Sequence, residues 1–151
     1  MFSENKYTYK TNDSYLDYEF ESIGSKGVIK KVARFSEIGV NLYNFGFGDL
    51  NELTGEISDT NVSNNGDGDK VLHTVANIIF EFTNFHLDAT VFIQGTTLSR
   101  TRRYQMGINK YWSQINQLFQ ILGLKNDKWE EFKIAENYDA FLGRRKGAFF
   151  I

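Results

Sequence analysis

The chain has 151 residues and a net charge of −2, and 16% of it is aromatic, with 14 Phe and 8 Tyr. It contains no cysteine and only two histidines, His73 and His86, which excludes a disulfide framework, a thiolate nucleophile and any Cys-ligated metal site. The length fits one domain spanning 1–151, the N-terminus lacks a basic and apolar leader, and no apolar run approaches the ~20 residues of a membrane span, so a cytoplasmic protein without a membrane role is expected.

Strands dominate the first third. Residues 6–10 alternate, with Tyr7 and Tyr9 on one face, and residues 15–23 carry Tyr18 and Phe20 at period two. Gly24-Ser25-Lys26-Gly27 is a turn signal, and residues 28–38 return as a second long strand, which makes a hairpin. Residues 40–47 form a further strand broken by Gly46, Gly48 and Asp49, and residues 52–62 form a weaker one. The loop 61–69 is built from turn residues.

Then the period changes. Val71, Val75, Ile78 or Ile79, and Phe82 recur at helical spacing over 70–85, with Asp67 or Asp69 available as N-cap. Residues 89–94 are β-branched and apolar on both faces, as in a buried central strand. A second helix opens after Gly95 and carries an apolar stripe from Tyr104 to Leu122, with Gly123 as its C′ residue. Residues 129–134 and 138–142 read as closing strands, 144–147 as a basic turn, and Ala148-Phe149-Phe150-Ile151 as a packed tail. The strand–helix–strand step implies a parallel pairing through a crossover. The expected class is α+β, with a mixed, mainly antiparallel sheet and two main helices.

Three stretches carry candidate chemistry. In Asn64-Asn65-Gly66-Asp67-Gly68-Asp69, glycines before a helix offer backbone N–H groups to a phosphate, but two aspartates occupy that ground and suit a capped turn better. In Gly95-Thr96-Thr97-Leu98-Ser99-Arg100-Thr101-Arg102-Arg103-Tyr104, a strand ends in glycine, hydroxyls cluster at a helix start and three arginines follow. Arginine in a first turn opposes the helix dipole, so Thr96, Thr97, Ser99, Arg100 and Arg103 are candidate ligands for an anion. The competing reading is a Thr97 or Ser99 cap with solvated arginines. Arg144-Arg145-Lys146 beside aromatics matches a single-strand contact less well than a solvated turn. No Ser-His-Asp pattern, P-loop or metal-type His spacing is present, and no cofactor is expected.

The pairs Gly66-Asp67…Lys70-Val71-Leu72…Thr74-Val75 and Gly95-Thr96-Thr97…Arg100-Thr101-Arg102…Tyr104 resemble a family of uncharacterised bacterial proteins with G-D-x-x-K/R-V-L-x-T-V and G-S/T-T-x-x-R-T-R-x-Y stretches. That resemblance implies no mechanism. The element order is also similar to the later part of the GCN5-like N-acetyltransferase fold. This second resemblance implies coenzyme A on the loop of Asn65, Gly66 and Gly68, with Tyr104 as general acid. The chain departs from that family's loop pattern at Ser63 and in carrying Asp67 and Asp69. The leading functional expectation is a non-catalytic binding module that meets an anionic ligand, an acidic protein or a nucleic acid through the arginine-rich helix start. The alternatives are a divergent acyl-CoA-dependent N-acyltransferase and a toxin–antitoxin component.

Overall fold

A computed structural model describes residues 5–58 and 65–147. The chain divides into two compact units. The first unit draws on residues 5–36, 46–58 and 65–85, and the second on 37–45 and 86–147.

In the first unit, β1 (Lys10–Thr11) and β3 (Gly27–Gly39) flank β2 (Asp17–Gly24), with which both pair antiparallel. Gly24 faces Gly27 across a two-residue turn, as the turn signal implies. Opposed residues share a face, so Tyr18, Phe20 and Ser22 stand beside Ala33, Lys31 and Ile29. Against this face packs α1 (Gly68–Phe85), whose Val75, Ile78 and Phe82 are buried. The rings of Phe35 and Phe82 stack at 3.8 Å, and Tyr18 meets Phe35 edge-on. The helix therefore forms where the 3.6-residue pattern places it.

The strand expected over 40–47 is β4 (Leu42–Leu50), which runs through the glycines expected to end it. A methyl group on Gly48 would overlap Ile57 and Ser58, the two residues of β5 (Ile57–Ser58), which pairs with Asp49 and Leu50. Glycine here admits a neighbouring strand rather than breaking its own. Of the strand expected over 52–62, only Ile57–Ser58 forms among the described residues, and 59–62 lie outside them.

In the second unit, β6 (Thr90–Ile93) lies between β4, to which it is parallel, and β9 (Ala140–Arg145), to which it is antiparallel. β9 pairs in turn with β7 (Phe119–Lys125), and β7 with β8 (Lys128–Glu131). The central position of this strand and the parallel step are as read from the sequence, but of its four residues only Val91 is buried. The fold is α+β with mixed, mainly antiparallel pairing.

The long second helix is corrected. α2 (Leu98–Lys110) ends at Tyr111, α3 (Trp112–Leu118) adds a short segment, and the chain is extended from Phe119. Leu122 pairs with Glu131 and Leu142, so ladders on both sides outweigh a helical stripe that is locally consistent. Gly123 is no helix cap: it lies under the ring of Tyr138, where any Cβ would clash. Arg144 and Arg145 are likewise not a turn but the end of β9, facing Gln120 and Phe119. The tail 148–151 lies outside the described residues.

Candidate functional site

The start of α2 is built by its own hydroxyls. Thr97 is the N-cap, with extended backbone angles, and its Oγ1 accepts the Arg100 N–H at 3.2 Å. The Thr97 carbonyl accepts the Thr101 N–H at 3.1 Å. Buried Thr101 then accepts the Gly95 N–H at 3.1 Å. A side chain on Gly95 would collide with Arg100 and Thr101, so glycine lets β6 end directly against the helix. Thr96 and Ser99 are exposed and Arg100 is half-buried.

The three arginines diverge. Arg102 donates through Nη1 to the Tyr138 carbonyl at 2.6 Å and to Gln105 Oε1 at 3.3 Å. Gln105 is buried, accepts the Tyr138 N–H at 3.0 Å and donates to the Glu136 carbonyl. Arg102 and Gln105 thus fasten α2 to residues 136–138, a role with no signal in local sequence. Arg103 is exposed, and among the described residues no hydrogen bond or ion pair to it is found. Ser99, Arg103, Met106 and Lys110 recur every three or four residues, and all four are exposed. Tyr104 is half-buried instead. Its ring stands edge-on to Phe45 at 6.2 Å and packs on the cluster of Phe132, Tyr138 and Phe141.

Charge is segregated along this part of the sequence. Residues 89–126 contain Arg100, Arg102, Arg103, Lys110 and Lys125 and no Asp or Glu, although the chain has 19 acidic residues. α2 itself has no acidic residue in its first turn to offset the arginines. Lys125 is tied to Glu136 at 2.5 Å, which leaves the cationic character of the stretch on α2.

The loop before α1, in the first unit, is committed differently. Asn65 is buried. Its Nδ2 donates to Ser22 Oγ and the Gly27 carbonyl at 3.1 and 3.0 Å, and its Oδ1 accepts the Lys26 N–H at 2.6 Å. Its carbonyl accepts the Ser25 N–H, and a side chain on Gly24 would overlap that carbonyl. Asp67 holds the hydroxyls of Tyr7 and Ser22 at 2.6 and 2.5 Å, and its carbonyl accepts the Val71 N–H of the first helical turn. Burial pushes the Asp67 carboxyl up, but the Ser22 and Tyr7 hydroxyls outweigh it and leave the group below its usual range. Gly66, at φ +81, and Gly68 are exposed. Asn64 and Ser63 lie outside the described residues. Nearby, buried Lys31 pairs with Asp49 at 2.5 Å.

The basic triplet is also engaged within its unit. Arg144 Nε donates to Gln120 at 3.2 Å, the Arg145 guanidinium lies over the Phe119 ring, and Lys146 donates to the Asn116 carbonyl at 2.6 Å. Among the described residues no group of three His, Cys, Asp or Glu is placed to hold a metal, and no helix is long and apolar enough to cross a membrane.

The model of one protein family, a family of unknown function (DUF6934), matches residues 3–146. No curated protein and no solved structure matches the chain.

Proposed function

The chain belongs to the DUF6934 family, whose function is unknown, and from that premise we propose that it is a non-catalytic binding module that meets an anionic partner through the exposed face of α2. The observation that carries this reading is the charge segregation: an acid-free stretch, 89–126, sets four of its five cations on one helix of a net-negative chain. Arg100, in the first turn of α2, works against the helix dipole, so helix stability gives no reason for it. Guanidinium forks bind carboxylate and phosphate groups bidentately, and Arg103 stands at the surface beside the hydroxyl of Ser99. Arg102 is spent on Tyr138, so Arg103, with Arg100 one turn before it, is the residue expected to meet the partner.

The test is binding of a short single-stranded oligonucleotide and of polyglutamate by fluorescence anisotropy across a salt series, with coenzyme A added as the ligand of an acyltransferase. A salt-dependent affinity is expected, and Arg103→Ala should weaken it and lower the salt slope by about one for a phosphate partner. Salt-independent or absent binding to both polyanions sinks the reading. Saturable binding of coenzyme A alone replaces it with the acyltransferase.

A further inference from the structure

The sheet of the second unit has two unlike faces. Val91, Ile93, Phe141, Phe119, Ile121 and Gly123 alternate onto one face by register. Tyr104, Ile108 and Trp112 of the helices, with Phe132 and Tyr138, pack there around Phe141, Ile93 and Ile121. Both helices of the unit and the 132–138 segment therefore lie on that side. The alternate positions form the other face. Phe92, Leu142 and Leu122 face one another across β6, β9 and β7, and the next rung sets Ala140, Leu124 and Trp129 side by side. Phe92 and Trp129 meet edge to face at 6.3 Å over the rung of fully buried Ala140.

This second face stays partly open. Trp129 is 40% exposed, and Phe92, Leu122, Leu124 and Leu142 each keep part of their surface. A contiguous apolar patch of this kind marks an interaction site. Its centre is aromatic and aliphatic, the composition of an interface core, and tryptophan is the residue most often found carrying binding energy. Three leucines and the carboxylate of Glu131 make it a poor platform for bases and phosphates, which need aromatics among cations. Edge pairing through β8 is discouraged by Lys128, Glu130 and Glu131 on that four-residue strand.

The charges bordering the patch point to the partner. Arg144 stands on β9 and Glu131 on β8, on opposite sides of β7, both on the open face. A two-fold axis along β7 lays β8 of one copy over β9 of the other. It brings Glu131 of each copy toward Arg144 of its mate while Leu122, Leu124 and Trp129 meet at the centre. An isologous contact requires such self-complementarity, and face-to-face sheet packing supplies the geometry. We propose that this face is a homodimer interface, occupied by a second copy of the chain. It lies opposite α2 and is independent of the anionic-partner reading.

The experiment is light scattering on the full chain through a dilution series, with circular dichroism as the control for folding. The wild type is expected to dimerise, and Trp129→Glu to be a folded monomer. Arg144→Glu and Glu131→Arg should each raise the dissociation constant at least about tenfold, since each sets like charges against one another. The double variant, which exchanges the two charges, should restore dimerisation. A wild type that is monomeric at every concentration overturns the proposal, as does a dimer indifferent to Trp129→Glu or a double variant no better than the single ones. A monomer that binds a single-stranded oligonucleotide through Trp129 overturns it in favour of a nucleic-acid platform.

Discussion

Both units bring a glycine-containing turn into the start of a helix, and the two turns spend their polar groups in opposite ways. At the start of α1, both polar side-chain atoms of Asn65 and Oδ2 of Asp67 turn inward, onto the β2–β3 hairpin and Tyr7. At the start of α2, one hydroxyl caps, another seals Gly95, and Ser99 and Arg103 remain at the surface. The first turn carries a carboxylate that the helix dipole favours, and the second carries Arg100, a cation that it disfavours. A group that stabilises its own fold needs no further reason to be there. One that works against it does, and this contrast is why the second turn is the functional candidate.

The contrast can be broken by substitution, and the largest effect is expected at Asn65. Asn65→Ala strips partners from Ser22, Gly27 and Lys26 at once and should cost about 2–3 kcal/mol in urea unfolding, the range for unsatisfied buried polar groups. A loss comparable to that of a surface change would show that the loop is not the lock described above.

Asp67→Asn comes next, at about 1–2 kcal/mol near neutral pH, because hydrogen bonds to a charged acceptor become hydrogen bonds to a neutral one. It carries a pH signature. A carboxyl held below its unfolded value of about 3.9 binds fewer protons in the folded state. Its contribution is therefore full above that value and is lost as pH falls through the lower folded one. The wild type should lose stability on acidification more steeply than Asp67→Asn. Equal acid limbs would remove Asp67 from the account.

Thr97→Ala should cost about 1 kcal/mol through loss of the cap. The smallest effect on folding belongs to Arg103→Ala, within about 0.5 kcal/mol, as for a surface change. If thermal unfolding shows Arg103→Ala to be the more damaging of these two, the second turn is structural and the contrast between the turns disappears.

Much of this was legible in the residues. The hairpin closed by Gly24 and Gly27, the helix of Val75, Ile78 and Phe82, the central strand 90–93 and its parallel step all follow from local periodicity and turn chemistry, which act over a few residues. The end of α2 was not legible. Phe119 to Leu124 satisfies a helical stripe as well as a strand, and only ladders to β8 and β9, from residues up to 26 positions away, decide between them. The same holds for side-chain fate. Sequence alone placed hydroxyls and arginines at the start of a helix and left open which were caps and which were ligands. That Thr97 caps, Arg102 is drawn to the Tyr138 carbonyl, Tyr104 packs on the Tyr138 cluster and Arg103 faces out was decided by the tertiary structure, because each depends on a partner brought close by strand pairing and not by chain neighbourhood.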